Sequence, residues 1–376
     1  MKIKIKFVLA VFLLFSFIIL VFCKKQKTEW KGTIEEENGI MVVKNPKEPI
    51  FHEDVFNLEK EITIGERDKD EESLFISITS IGIDDEENIY VLDRKACQIK
   101  VFDKNGKFLR NIGRKGQGPG EMLFPSVMEM VSGKEIMICD ISNNRVSFFS
   151  LKGELVKEVS KGKFFRLISP TPDSSGNFIG SYRIRMGQKR IVELKKFDSN
   201  FEPILTFKKL DYTDEPNVIY PYPPFILYVV LKDDKVIWGN WLHYRLQIVD
   251  EAGKMTRKII KDYNPIKITE KDKEKDIKQR FGDQGIPPGI KVEFPEYHPA
   301  FWYLSIDDEG RIFVQTFERT EEGSYYYDVF DSEGKYIAKV PLGARPWAWK
   351  KNKLYTVEED EEGYQYIKRY KVTWKY

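Results

Sequence analysis

Apolar positions in this chain come in short alternating runs of four to seven residues, separated by polar turns every eight to twelve residues. Asn88–Leu92, Gln98–Phe102 and Lys107–Ile112 read as strands, and Gln98–Phe102 alternates polar and apolar as a strand buried on one face does. Similar runs return at Glu135–Cys139, Arg145–Phe149, Lys235–Gly239, Arg245–Val249, Arg311–Thr316 and Tyr325–Phe330. Apart from the leader, only one stretch, Glu270–Phe281, reads as a helix, with Thr269 as N-cap, Asp272 as capping-box partner and Gly282 as its stop.

The turns between these runs repeat a phrase. Ile83-Asp84-Asp85-Glu86-Glu87-Asn88-Ile89-Tyr90-Val91 is echoed by Ile306-Asp307-Asp308-Glu309-Gly310-Arg311-Ile312-Phe313-Val314. Asp103-Lys104-Asn105-Gly106-Lys107 is echoed by Asp331-Ser332-Glu333-Gly334-Lys335. A returning unit of strand, turn, strand, turn predicts the blades of an all-β, six-bladed β-propeller with four-stranded antiparallel blades. Five units are complete within themselves. The sixth, from Arg345, lacks its outermost strand. Glu61-Ile62-Thr63-Ile64-Gly65 reads like the outer strand of the first unit, so the N-terminal strand is expected to close the last blade.

Residues 1–23 form a leader outside the fold. Lys2, Lys4 and Lys6 precede an apolar run from Phe7 to Phe22 that only Ser16 interrupts. Leu20-Val21-Phe22-Cys23 resembles a bacterial lipobox, which implies lipidation of Cys23, although Phe22 departs from the small residue usual there. An uncleaved signal anchor and ordinary cleavage are the alternatives, and all three imply export to the bacterial cell envelope, on its periplasmic or surface side. Residues 24–56 read as a polar tether and 57–376 as the propeller, with a helical insertion at about 262–298. Cys97 and Cys139 fall at non-equivalent places in adjacent units and are not expected to pair.

Lys and Arg number 61 against 59 Asp and Glu, a net charge of +2 with the signs interspersed, so a nucleic-acid partner is not expected. Gly116-Gln117-Gly118-Pro119-Gly120 lacks the helix that a phosphate loop needs, and Pro119 removes an amide, so it reads as a tight crossing between blades. No motif implies a cofactor, and no His or Cys pair has metal-ligand spacing.

The unit phrases resemble those of the NHL-type six-bladed propellers of bacterial envelope lipoproteins. The resemblance rests on Asp93, Ile99-Lys100-Val101-Phe102-Asp103, Gly106, Ile112-Gly113, Gly118-Pro119-Gly120-Glu121 and Phe124-Pro125, with Asp140 and Asn144-Arg145-Val146 in the second unit. It implies a fold and a location more than a reaction.

Long connections at 114–126, 208–224 and 262–298 all fall on the rim that also carries each second-to-third-strand loop. The opposite rim consists of short Asp/Asn/Gly turns with a local structural purpose. The candidate ligand-binding residues therefore gather on the first rim: Arg114, Arg166, Arg183, Arg185, Tyr222, Trp241, His243, His298, Trp302, Arg345 and Trp347. Arg with Tyr and Trp supplies forked donors and flat contact area. The expectation is a non-enzymatic recognition module for an envelope protein or a small anionic or carbohydrate-like ligand, held to the membrane by its N-terminus. The alternative is a metal-dependent hydrolase or lyase resembling gluconolactonases or streptogramin lyases, to which Glu121, Asp93, Asp140 and His298 would contribute.

Overall fold

Each Asp-x-x-Gly-x phrase folds into a hairpin turn that its own aspartate holds. In the computed structural model, Asp103 Oδ1 accepts from the amides of Asn105 at 2.8 Å and Lys107 at 2.9 Å. Asp250 does the same for Ala252 and Lys254, and Asp331 for Glu333 and Lys335. The fourth residue of each turn needs a left-handed backbone, and glycine supplies it: φ is +83° at Gly106 and Gly253 and +87° at Gly334.

The structure describes residues 29–51, 55–67, 71–160 and 167–376. The alternating runs pair through these turns into six antiparallel blades, with consecutive strands adjacent. Blade one is Ile78–Ile83, Ile89–Asp93, Gln98–Phe102 and Phe108–Ile112; blade two is Pro125–Val131, Glu135–Asp140, Arg145–Ser150 and Leu155–Ser160. Blade three is Leu167–Pro172, Phe178–Met186, Lys189–Phe197 and Pro203–Thr213; blade four is Leu227–Val230, Val236–Gly239, Arg245–Val249 and Met255–Lys261. Blade five is Tyr303–Ile306, Ile312–Arg319, Tyr325–Phe330 and Tyr336–Leu342.

Blade six is Pro346–Lys350, Lys353–Glu359 and Gln365–Trp374, completed by Phe56–Ile64 from the other end of the chain. Ile64 pairs with Ile367 and Phe56 with Trp374. Ring closure removes an open sheet edge. The core is distributed: each blade buries its apolar face against the next, as where Ile64, Tyr355 and Ile367 of blade six meet Ile78, Ile89 and Val91 of blade one.

The expected polar tether is corrected over residues 33–51. Thr33–Glu37 and Ile40–Asn45 form a hairpin that adds two strands to the outer edge of blade four, with Ile40–Asn45 running parallel to Met255–Lys261. Val42 and Val43 are each 1% exposed, and this burial is the physical reason the segment docks. The chain then runs beside blade five, where the Ile50 and Phe51 amides donate to the carbonyls of Tyr336 and Ile337.

The 262–298 connection carries helix α1, Glu270–Phe281, and its capping box is formed in both directions between Thr269 and Asp272. Cys97 and Cys139 are free thiols.

Candidate functional site

Helix α1 walls a cleft of about 160 Å³ on the loop rim. Tyr222 reaches it from the crossing between blades three and four, and His298 from the crossing between blades four and five. Phe317, Arg319 and Tyr325 come from the second hairpin of blade five. Asp272, Lys275, Asp276 and Gln279 of α1 form the far side.

The floor is aromatic. His298 and Phe317 stack with centroids 4.4 Å apart, and Tyr222 meets both edge-on, at 5.9 and 6.0 Å. Trp302 continues this surface, 5.6 Å from Tyr222 and stacked on Trp241 at 5.7 Å, and remains 38% exposed. Phe225 packs edge-on against Trp241. Such a rigid set presents flat apolar area at little entropic cost.

His298 bridges the two walls. Its Nε2 lies 3.4 Å from Asp272 Oδ2, and its Nδ1 lies 3.4 Å from the Tyr222 hydroxyl. Burial lowers the His298 pKa more than the Asp272 carboxylate raises it, so the ring is neutral at pH 7. Burial also pushes the Asp272 carboxyl up, but hydrogen bonds from Thr269 and His298 outweigh this and hold it below its ordinary value. The Tyr222 hydroxyl is pushed up to about 12, by burial first and then by Asp276 and Asp272.

Charges on the cleft are unevenly matched. Asp276 is paired with Arg280, and Asp272 accepts from the amide and hydroxyl of Thr269. Arg319 and Lys275 are exposed, and neither pairs with a carboxylate among the described residues. Arg319 instead lies over the Tyr325 ring, 4.2 Å from its centroid, and donates to its hydroxyl. The arrangement offers two exposed cations and the Asp272 carboxylate around an edge-to-face aromatic cluster, with the Tyr222 phenol as a further hydrogen-bonding group.

Of the residues singled out from sequence, the fold brings Tyr222, Trp241, His298 and Trp302 together. The others stand elsewhere. Arg114 pairs with Glu121 at 2.9 Å in the crossing between blades one and two. Arg183 and Arg185 are exposed on the second hairpin of blade three, where Arg185 donates to the Gly187 carbonyl. His243 is exposed in the turn after Trp241. Arg345 lies over the rings of Tyr303 and Trp347, at 5.1 and 4.7 Å, beside the inner strand of blade six. Arg166 and Cys23 lie outside the described residues.

The carboxylates considered as metal ligands hold the backbone together. Asp93 accepts from the amides of Ile76, Ser77 and Ala96, and Asp140 from those of Leu123, Phe124 and Asn143. Glu121 accepts from the Gly118 amide, and a Cβ on Gly116 would lie 2.0 Å from its Oε2, so a side chain there would displace the Glu121 carboxylate from this bond. Among the described residues, no group of three or more His, Cys, Asp or Glu side chains converges as metal ligands would.

Phe317, Arg319, Tyr325 and the α1 residues were not among the sequence candidates. The available signal was the length of Ile312–Arg319, which runs on past its bulge after Gln315 and so lifts its end into the cleft.

The DUF5128 family model, a 6-bladed beta-propeller, matches residues 68–228, from ahead of blade one into the inner strand of blade four. A candidate exported protein from Bacteroides fragilis has a similar structure, with a TM-score of 0.56 at 14% identity over 89% of this chain and 100% of its own. A member of the DUF4221 family from Bacteroides vulgatus follows at 0.51 and 12% identity, over 85% of this chain and 99% of its own. A virginiamycin B lyase from Staphylococcus aureus superposes more loosely, at 0.42 and 15% identity over 85% of this chain and 99% of its own, too distant a likeness to bear on chemistry. No curated protein sequence matches the chain. Among the described residues, no helix is long and apolar enough to cross a membrane.

Proposed function

We propose that this chain is an exported, membrane-tethered recognition module whose α1 cleft binds an acidic saccharide. The observation that carries the reading is the pair of exposed cations, Arg319 and Lys275, set over the floor of Tyr222, His298 and Phe317. An aromatic face stacks on the apolar face of a sugar ring. The cations meet a carboxylate, and the Tyr222 phenol and the Asp272 carboxylate meet hydroxyls. Rigid blades hold these groups in place before the ligand arrives, which lowers the entropic cost of binding.

The envelope location rests on the basic-apolar leader and on Cys23 in a lipobox-like setting. The fold likeness to an exported Bacteroides fragilis candidate is consistent with it. The motif residues around Asp93 and Asp140 support kinship with NHL-type propeller lipoproteins as part of the same reading.

The test is titration calorimetry of the purified full chain in detergent, using oligogalacturonate and the matching neutral galacto-oligosaccharide. Preferential binding of the acidic form supports the proposal, and no binding of either removes it. Stoichiometric Ca²⁺, Mn²⁺ or Zn²⁺ in the purified protein would favour a metal-dependent enzyme instead. Build-up of an unprocessed precursor under globomycin-type inhibition checks the role of Cys23.

A further inference from the structure

The short-turn rim, expected to be purely structural, holds a cavity of about 520 Å³ between blades four and five. Its volume falls within the range of small-molecule sites. Strand pairing builds one wall as a single row. Ile237 lies opposite Ile248, Ile248 opposite Arg257, and Arg257 opposite Met41 of the docked hairpin. Paired residues share a sheet face, so Arg257 stands within an otherwise apolar row. Ile306 and Ile312 line the cavity from blade five.

The carboxylates along the cavity are matched. Asp233 pairs with Lys235, Asp307 and Glu309 pair with Arg311, and Lys232 lies 3.5 Å from Asp308 Oδ1. Asp308 Oδ2 is sealed from solvent and so does not face the cavity. Among the cations lining the space, Lys232 and Lys235 are used in this way and Arg257 is not. Arg257 is half-buried, its Nη1 donates to the Ser332 carbonyl at 2.8 Å, and no carboxylate among the described residues pairs with it. Glu333, beside Ser332, is taken by Lys335 at 2.6 Å. The Nε and Nη2 donors of Arg257 have no partner among the described residues. A guanidinium stays charged at any working pH and presents a planar fork that fits a carboxylate. The complement of one unmatched fork in an apolar wall is an apolar body bearing one carboxylate.

We infer that this cavity is a second binding site, separate from the α1 cleft, for a small monocarboxylic acid with an apolar body. The carboxylate takes the free donors of Arg257, and the body lies against Met41 and the isoleucines of the two blades. A neutral analogue keeps the apolar contact alone. An ammonium head faces the unmatched guanidinium and is disfavoured.

The probes are cyclohexylacetate, 2-cyclohexylethanol and 2-cyclohexylethylamine, titrated calorimetrically into the full chain at neutral pH. The expected order is carboxylate, then alcohol, then amine, with the carboxylate at least tenfold tighter than the alcohol. Arg257→Met brings the carboxylate to within about threefold of the alcohol and leaves the alcohol unchanged; Arg257→Gln serves if that variant fails to fold. Met41→Trp fills the cavity from the hairpin side and weakens the carboxylate and the alcohol alike; Leu231→Trp does the same from blade four and serves if the first fails to fold. Absence of carboxylate binding, equal binding of the three probes, or a carboxylate preference that survives the loss of Arg257 overturns the inference. So does a carboxylate signal that disappears with Lys275→Ala, Arg319→Ala, since that signal belongs to the α1 cleft. Oligogalacturonate binding at the α1 cleft is unaffected by the Arg257 and Met41 variants, so the two sites fail or succeed independently.

Discussion

Lys261 Nζ lies 3.2 Å from Asp328 Oδ2, an ion pair sealed between blades four and five with side-chain exposures of 5% and 0%. Asp328 also accepts from the hydroxyls of Tyr244 and Tyr336, and the Lys261 ammonium lies over both rings, at 5.0 and 4.6 Å. A buried carboxylate stripped of its cation is far more costly than an absent pair. Lys261→Met is therefore expected to lose about 3–5 kcal/mol of stability, and Lys261→Met with Asp328→Asn to lose less than the single variant. Urea denaturation of the three proteins checks the order; equal losses would mean that the charge balance is unimportant at this joint.

Asn45 ties the N-terminal hairpin to the same joint. Its Nδ2 donates to the Gly334 carbonyl at 2.9 Å and its Oδ1 accepts from the Tyr336 amide at 2.7 Å. Asn45→Ala leaves both backbone groups buried and unsatisfied, a loss of about 1–3 kcal/mol. Hydrogen exchange should accelerate at Tyr336 and along Ile40–Asn45 while blades one and two keep their protection.

Ring closure is expected to be a large share of the fold's stability. Ile64, 2% exposed, and its partner Ile367, 0% exposed, sit in the core between blades six and one. Each changed to alanine should lose about 2–5 kcal/mol. A loss below 1 kcal/mol at Ile64, measured by denaturant unfolding, would show that the closing strand is only loosely attached.

Glu129, on the inner strand of blade two, makes no hydrogen bond or ion pair with any described residue. Burial pushes its carboxyl from 4.5 up to about 8. A raised carboxyl favours the protonated native state, so this group's contribution is fully present below pH 4.5 and is lost as pH rises toward 8. Glu129→Gln should then stabilise the protein on the order of 2 kcal/mol at pH 9 and leave it unchanged at pH 4. Thermal melts across that range read the difference directly.

The architecture was legible in sequence because its information is local. An aspartate that ties two amides and a glycine that permits a left-handed turn write themselves as Asp-x-x-Gly, and the phrase returns in every blade but the second, where Ser150 takes the aspartate's place. The docked hairpin was also written locally, in Asn38-Gly39 with φ of +53° and +76° between two short strands, but the charges of Glu35–Glu37 masked it as tether. The α1 cleft was legible only in part. Tyr222, Trp241, His298 and Trp302 stood out by residue type and rim. Arg319 and Phe317 did not, because their place depends on how far a strand runs past a bulge. The cavity between blades four and five left no trace, since it arises from side chains of two blades and a hairpin that meet only in three dimensions.

The most direct test of the α1 cleft is the affinity of the Lys275→Ala, Arg319→Ala double variant for oligogalacturonate, beside wild type. Both side chains are exposed, so folding should be undisturbed. The expected result is a loss of at least tenfold, about 1.4 kcal/mol, with binding of the neutral oligosaccharide unchanged. Unaltered affinity for the acidic ligand would contradict the account.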